Sequence, residues 1–233
     1  MFYGHLTNYL KQIFASWKKW EIAWLIFCTC AIIFLSLYLK DTWLGIISAL
    51  TGTWYALWAG KGKASCYFFG MINSFAYGLI SCQHQFYGEV MLNWGYYFPM
   101  MFVGLFFWRK NLNKEKIIYK TNLTLQGRIL LVVLSGAAIA IYALLLKILG
   151  GRTPGLDSLT TVLSVAAMIM TVKRCIEQWV LWTIVNLVSI VMWFQLYLAK
   201  GESFATLAMW CIALANGIIF CIQWTKEAKI KNE

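Results

Sequence analysis

The sequence predicts an all-α integral membrane protein with two parallel three-helix repeats, a linker helix between them and an extra N-terminal helix. Composition is the first reason for this prediction, since hydrophobic residues make up 61% and charged residues 12% of the chain. A soluble domain carries about 25% charged residues. The second reason is a series of long charge-free stretches, and the third is an internal repeat at a spacing of 113 residues.

Eight charge-free stretches predict eight membrane helices, because most are near the roughly 17–25 residues that a helix needs to cross a bilayer. The first is a retained span rather than a signal peptide, since no convincing small-residue cleavage site follows it. The sixth is short and needs Gly155 and Asp157 to reach both interfaces. The stretches are Ile22–Leu39, Thr42–Gly60, Ala64–Gly88, Val90–Trp108, Ile129–Leu146, Ser158–Val172, Gln178–Ala199 and Ser203–Thr225.

The repeat relates the second to fourth helices to the sixth to eighth. Such a repeat in a membrane protein is typical of a transporter whose substrate binds where the halves meet. Three helices and one linker make an even number of crossings, so the repeats enter the membrane in the same direction. The matched pairs include Asn186 with Asn73, Gly201 with Gly88, Glu202 with Glu89, Gly217 with Gly104, and Phe220 with Phe107.

The chain therefore divides into five segments. Residues 1–40 hold an N-terminal cytoplasmic segment and the extra helix, and residues 41–110 form repeat one. Residues 111–154 hold a basic cytoplasmic loop and the linker helix, residues 155–226 form repeat two, and residues 227–233 are a cytoplasmic tail.

The net charge of +11 is explained by membrane topology rather than by nucleic-acid binding. With eight spans, 16 of the 20 Lys and Arg residues fall on the side of the two termini and 4 on the other side. Basic residues accumulate on the cytoplasmic side of membrane proteins. Both termini are therefore expected in the cytoplasm, with the lipid bilayer as the surrounding partner; the family resemblance described below implies the inner membrane of a bacterium.

Enzyme motifs are missing from the sequence. It contains no paired intramembrane carboxylates, HExxH, P-loop or serine–histidine arrangement. The seven cysteines form no CxxC motif, so neither a metal site nor a disulfide framework is expected. We expect no catalytic residues and no cofactor.

Helix seven carries an aromatic and polar stripe. A mid-membrane asparagine is costly unless it is paired, so Asn186 must face protein or a cavity. An aromatic surface beside an amide suits a planar heteroaromatic carboxamide, and a positively charged ring would add cation–π attraction. Alternatively, Asn186 joins helices and the tryptophans only pack. Trp179, Trp182, Asn186, Ser189 and Trp193 make up the stripe, at i, i+3, i+7, i+10 and i+14.

Other helices offer further polar side chains. Those on helix three could equally be structural, the acid could simply cap its helix, and the hydroxyls could bond to their own helix. Pro99 in helix four removes a backbone hydrogen bond and is expected to leave a kink that serves as a hinge. The candidates are Asn73, Tyr77 and Gln83 on helix three, Glu89, Asn93 and Tyr97 on helix four, and Thr160, Thr161 and Ser164 on helix six.

These residues also carry a resemblance to the Pnu family of bacterial vitamin transporters, over about residues 42–225. Its most specific part is the Trp-x-x-Trp-x-x-x-Asn element, which is complete here. Within that family the chain most resembles the members that carry nicotinamide riboside. The segments concerned are Phe69-Gly-Met-Ile-Asn73, Tyr87-Gly-Glu-Val-Met-Leu-Asn93, Leu159-Thr-Thr-Val-Leu-Ser-Val-Ala-Ala167 and Gln178-Trp-Val-Leu-Trp182.

The resemblance implies a fold and a transport mode. The family is similar to SWEET sugar transporters in its three-plus-one-plus-three helix arrangement. It implies facilitated diffusion of nicotinamide riboside for NAD synthesis by alternating access, with the product trapped by a cytoplasmic ribosylnicotinamide kinase. The stripe would hold the pyridinium carboxamide, and Asn73, Gln83 and the helix-six hydroxyls would hold the ribose. The alternatives are a SWEET-like carrier of another vitamin or a sugar, and a membrane scaffold.

Overall fold

The computed structural model describes residues 17–40, 42–83, 87–114, 116–150, 154–200 and 204–230. Within these ranges the chain forms eight helices, which confirms the predicted number. They are α1 (Lys19–Tyr38), α2 (Trp43–Gly60), α3 (Cys66–Gln83), α4 (Tyr87–Val90, Met91–Tyr97 and Phe98–Arg109), α5 (Leu125–Ile148), α6 (Pro154–Val172), α7 (Glu177–Lys200) and α8 (Phe204–Ile230). Asp41, Gly201 and Glu202 lie outside the described residues.

Three helices are long and apolar enough to cross a membrane on those two criteria alone, among the residues described. They are α1, α5 and α6, and α5 is the most apolar of them. The other helices carry more glycine, asparagine and aromatic side chains, which lowers their mean hydropathy. Helix α8 runs to Ile230, whereas the sequence predicted a tail from residue 227, because its last turns hold good helix formers such as Lys226, Glu227 and Ala228.

Helix α4 departs from α-helical geometry before Pro99 rather than at it. Met91–Tyr97 is π-helical, and Pro99 stands in the first turn of the α-helical part that follows. At its end, the Phe98 N–H bonds to the Asn93 carbonyl, five residues back. A π-helical turn is one way to absorb an interrupted hydrogen-bond ladder, and such turns are frequent at functional sites. The predicted hinge role of Pro99 stays a prediction.

Helices α2 and α6 end in the same way. After α2, Gly62 has φ +68° and the Lys63 N–H bonds to the Trp58 carbonyl at 3.0 Å. After α6, Arg174 has φ +62° and the Cys175 N–H bonds to the Met170 carbonyl at 2.9 Å. Both are left-handed caps of the Schellman type, in which a residue with positive φ ends the helix.

Helix contacts follow a crossed pattern. Helix α3 packs on α2, and α7 packs on α6 and on α8. Helix α4 packs against α6, and α8 packs against α2, while α5 packs against α6. The hydroxyl of Tyr55 on α2 donates to Met168 Sδ on α6 at 3.8 Å, and these residues are 113 apart in the sequence. Positions related by the repeat spacing therefore meet at the centre of the bundle.

The bundle is closed at one end by an aromatic core, which comprises Trp58, Tyr67, Trp108, Trp179, Phe220 and Trp224. These side chains are at most 8% exposed. They lie where α2, α4, α6 and α8 end and where α3 and α7 begin. The turns after α2 and α6 and the loop 110–124, which hold many of the basic residues, lie at the same end. We call it the basic end.

The loop 110–124 joins the two capped turns at the basic end. The Ile118 N–H donates to the Gly62 carbonyl at 3.0 Å, and the Thr121 N–H donates to the Arg174 carbonyl at 3.0 Å. The ammonium of Lys120 lies 4.7 Å from the centre of the Trp224 ring and bonds to Glu227. Burial lowers the pKa of Lys120, although its pairing with Glu227 opposes the effect.

Helix α1 is bound to both α2 and α8 by polar contacts. Glu21 is 4% exposed and accepts from Lys61 Nζ at 2.8 Å and from Gln223 Nε2 at 3.1 Å. Farther along α1, the Trp24 indole donates to Asn216 Oδ1 of α8 at 2.7 Å. The extra helix therefore spans the contact between α2 and α8.

Candidate functional site

Asn186 lies about 13 Å along α7 from its first residue, Glu177, given a rise of 1.5 Å per residue. Its side chain is 6% exposed and makes no hydrogen bond to the residues that the structure describes. A Cβ at Gly217 of α8 would lie 3.7 Å from Asn186 Nδ2, so the glycine leaves space beside the amide. Neither amide atom is among the fully buried side-chain atoms that lack a partner, so the amide keeps some access to the space around it. The arrangement suits an amide that is completed by a ligand.

Trp182 lies one turn before Asn186 on the same face of α7. It is partly buried and packs against both the aromatic core and the cluster around Ala167 and Leu181. Its indole N–H donates to Thr171 Oγ1 on α6 at 3.3 Å. The ring is therefore held at the border between the closed end of the bundle and the middle of the helices.

Trp179 belongs to the aromatic core rather than to the open part of the stripe. Its ring centre lies 5.2 Å from that of Phe220 and 5.7 Å from that of Trp224, and it is 4% exposed. The indole nitrogen is buried and has no hydrogen-bond partner within the part of the chain that the structure describes. Trp179 thus supports the closed end below Trp182. The side chain of Trp193 lies outside the described residues.

Asn73 is the repeat counterpart of Asn186, but its amide is occupied. Asn73 Nδ2 donates to the Ser48 carbonyl at 2.7 Å and lies 3.2 Å from Ser48 Oγ. A Cβ at Gly52 would come within 2.9 Å of the same nitrogen. Asn73 Nδ2 thus joins α3 to α2, as in the structural alternative, while a part of Asn73 in ligand binding stays a prediction. Its counterpart Asn186 has no hydrogen-bond partner among the described residues.

A second polar group lies between α3, α4 and α6. The carboxylate of Glu89 is near enough to the hydroxyls of Tyr77 and Tyr97 for electrostatic interaction, and the Tyr97 hydroxyl lies close to that of Ser164. Asn93 Nδ2 donates to the Glu89 carbonyl at 2.9 Å and lies 3.5 Å from Glu89 Oε2. The structure therefore brings these five predicted residues together.

Two further candidates do not join either group. The Thr160 hydroxyl donates to carbonyls of its own helix, with the Leu156 and Asp157 oxygens both at 3.1 Å, which is the alternative that the sequence left open. Gln83 is exposed at the end of α3. Neither side chain is placed by the structure against Asn186 or Trp182.

A separate apolar cleft of about 430 Å³ lies between α5 and α6. Its lining includes Ile141, Tyr142 and Leu145 on α5 and Val162 and Val165 on α6. Of the candidate site residues it is lined by Thr161 alone. Helix α5 presents exposed apolar side chains on most of its surface. The lining of this cleft does not include Asn186 or Trp182.

Three residues near the site were not predicted from the sequence. Thr171 contacts Trp182, the Trp108 indole donates to the Thr171 carbonyl at 2.9 Å, and the Tyr96 hydroxyl donates to the Val165 carbonyl at 2.8 Å. Each contact joins two helices, and its two residues lie 11 to 69 positions apart in the sequence. The spacing of the aromatic residues in α4 is the sequence signal that could have indicated Tyr96 and Trp108. It does not identify the residues of α6 to which they bond.

Comparison with known proteins then decides the family. The family described as nicotinamide mononucleotide transporter matches residues 42–226. The chain belongs to the nicotinamide mononucleotide transporter family. This confirms the predicted resemblance and the all-α membrane fold, and a transporter family fits the expectation that the chain is not an enzyme.

Relatives within this transporter family resemble the chain over nearly its whole length. The nicotinamide riboside transporter PnuC of Neisseria mucosa is 34% identical over 231 residues, covering 96% of this chain and 88% of the relative. The protein of the same name from Haemophilus influenzae is 35% identical over 232 residues, covering 97% and 99%. These alignments extend into α1, which lies outside the matched family region.

A solved structure of the family shares the fold. It is described as the crystal structure of the vitamin B3 transporter PnuC, with a TM-score of 0.82 and 32% sequence identity. The match covers 95% of this chain and 97% of the solved chain. The protein is therefore a multi-pass membrane transporter with the architecture of this family.

Proposed function

We propose that this protein carries nicotinamide riboside across the inner membrane of a bacterium. The observation that carries the proposal is Asn186, a buried mid-helix amide with no partner among the described residues, one turn from the Trp182 ring. Two relatives that align with nearly the whole chain are named as transporters of this riboside. The ligand would complete the hydrogen bonding of the amide.

Each part of the ligand has a matching group. The carboxamide exchanges hydrogen bonds with Asn186, and the pyridinium ring stacks on Trp182 with cation–π attraction. The positive charge is drawn by Glu89, which lies with Tyr77 and Tyr97 in the second polar group. Ser164 and Asn93 of that group are the candidates for the ribose hydroxyls, in preference to Thr160 and Gln83.

Transport is facilitated diffusion by alternating access. The two moving halves of the protein are residues 41–110 and residues 155–226. They rock against each other while the π-helical part of α4 and Pro99 flex. The crossed contacts of α4 with α6 and of α8 with α2 support this division. The basic end faces the cytoplasm together with both termini, and a cytoplasmic ribosylnicotinamide kinase traps the riboside by phosphorylation.

Substrate identity is tested by titration calorimetry of the purified protein with nicotinamide riboside, thiamine and glucose in parallel. Saturable binding of the riboside alone is the expected result. Asn186→Leu should weaken it by about 1–3 kcal/mol, because the carboxamide loses its partner. Asn111→Leu is the matched control, since Asn111 bonds to the Phe107 carbonyl at the basic end. Binding of glucose or thiamine instead would replace the substrate, and riboside affinity unchanged in Asn186→Leu would remove the assignment.

The transport mode is tested in vesicles that contain the protein and no kinase. The riboside should equilibrate across the membrane without accumulating, and an imposed proton or sodium gradient should not change the final level. Accumulation driven by either gradient would replace diffusion by coupled transport. Accumulation that appears only when kinase and ATP are enclosed would support trapping.

A further inference from the structure

We propose that Thr171 is a positioning residue for the binding ring: it fixes the indole of Trp182 and links that ring to Trp108 in the aromatic core. The inference rests on the proposed function, in which Trp182 stacks on the ligand. Thr171 stands in the last turn of α6 and is 1% exposed. It therefore does not meet the ligand itself.

Two tryptophans from different helices converge on this residue. Trp182 of α7 donates to the Thr171 hydroxyl at 3.3 Å, and Trp108 of α4 donates to the Thr171 carbonyl at 2.9 Å. Trp108 is fully buried, while Trp182 is partly buried. One residue of α6 thus bonds both to a ring of the closed basic end and to the proposed stacking ring.

Hydrogen-bond directions agree with this role. A threonine hydroxyl has one proton, and the Thr171 hydroxyl donates it to the Ala167 carbonyl at 2.8 Å. Because this proton points to Ala167, the lone pairs of the Thr171 hydroxyl oxygen have fixed directions, and the oxygen accepts a hydrogen bond from the Trp182 indole. The Ala167 carbonyl can also accept the helical bond from the Thr171 N–H, so loss of the hydroxyl removes the partner of the indole alone.

The first experiment compares Thr171→Val with Thr171→Ser in riboside affinity and thermal midpoint. Valine keeps the shape and lacks the acceptor, so affinity should fall about fivefold. Serine keeps the acceptor, so affinity should stay near that of the unchanged protein. Serine should nevertheless lower the thermal midpoint, because it removes a buried methyl group, so a fall in affinity that came only from lost stability would appear in serine as well. Thr225→Val is the matched control, since the Thr225 hydroxyl bonds to the Cys221 carbonyl of its own helix.

The second experiment is a double-mutant cycle with Trp182→Phe, which keeps an aromatic ring and removes its N–H. The effect of Thr171→Val on affinity should disappear in that background, because the bond between the two is already lost. The same fall in affinity in both backgrounds would overturn the inference. So would affinity that follows stability, with serine worse than valine.

Failure of the proposed function and failure of the positioning role of Thr171 give different results. If the unchanged protein binds no riboside, the substrate assignment falls first. If the unchanged protein binds it and the cycle is additive, only the positioning role of Thr171 is wrong.

Discussion

The two interfaces between the halves of the molecule are built differently. At the contact of α2 with α8, the Trp224 indole donates to the Gly60 carbonyl at 2.6 Å, and α1 adds the buried Glu21, Lys61 and Gln223 cluster. At the contact of α4 with α6, the Tyr96 bond and the Trp108 bond are made to backbone carbonyls, beside a π-helical segment. One interface is held by a third helix, and the other contains the irregular backbone.

This difference indicates where movement is easiest. A rocking motion must break or bend contacts at one interface more than at the other. Bonds from side chains to carbonyls can slide along a helix, whereas a buried ion pair is lost if its partners separate. We therefore expect the contact of α2 with α8, together with α1, to act as the pivot of the motion and α4 to change its contact with α6.

The largest effect is expected from Lys61→Met. Glu21 is 4% exposed and would keep only the Gln223 amide and the Lys18 N–H as donors. Breaking a buried ion pair in this way should lower the free energy of unfolding by about 3 kcal/mol, measured by thermal unfolding in detergent. The double variant Lys61→Met, Glu21→Leu removes both charges and should recover most of the loss. No recovery would mean that packing, rather than the ion pair, binds α1.

Gly60→Ala should have the next largest effect. A Cβ at this position would lie 2.3 Å from the Phe220 ring, so α8 must shift away from α2. The expected loss is about 2 kcal/mol in the free energy of unfolding, with faster labelling of the buried Cys66 by a thiol reagent. Gly136→Ala is the control, since a Cβ there meets nothing within 4 Å. Equal losses of stability for both glycine variants would show that α8 does not pack closely against α2 at Gly60.

Tyr96→Phe tests the other interface. It removes the bond to the Val165 carbonyl and should cost only about 1 kcal/mol in stability. Because the contact of α4 with α6 is the one expected to change, the rate of riboside transport should shift by more than this variant's stability would suggest. Tyr38→Phe is the control, since Tyr38 is 75% exposed on α1. A loss of stability as large as that of Gly60→Ala would remove the contrast between the interfaces.

Some features of both interfaces follow from the sequence and others do not. The spacing of 113 residues predicted the two halves, and the contact of Tyr55 with Met168 has that same spacing. The cluster that binds α1 joins residues 40 and 202 positions apart, and nothing in the local pattern pairs them. The π-helical segment depends on how the backbone relaxes around Pro99, so the sequence indicates an irregularity but not its form.

The candidate site could likewise be predicted from the sequence only in part. The stripe on α7 placed Trp182 and Asn186 on one face, but side-chain spacing alone could not show that Trp179 packs into the aromatic core. Asn73 and Asn186 are equivalent in the repeat, yet among the described residues Asn73 bonds to Ser48 and Asn186 has no partner. Whether an amide is used for packing or left for a ligand depends on the neighbouring helix, which the stripe does not describe.

The smallest prediction concerns pH at the basic end. Burial lowers the pKa of Lys120 in the folded state, so the folded protein holds fewer protons than the unfolded chain between that lowered value and the usual lysine pKa of about 10.4. The free energy of unfolding should therefore rise with pH in this window. Lys120→Met should flatten the rise, whereas the same change at the exposed Lys226 is the control. Identical slopes in both variants would show that burial of Lys120 has no such effect.

Helix α5 has a consequence for how the chain is made. It packs against α6 and shows most of its surface to lipid. A break in the loop 110–124 would leave α1–α4 on one fragment and α5–α8 on the other, each with an even number of crossings. Both fragments would then begin and end on the basic side of the bilayer, with their own positive charges to orient insertion. Two separately translated polypeptides should be able to enter the membrane independently and assemble into one carrier.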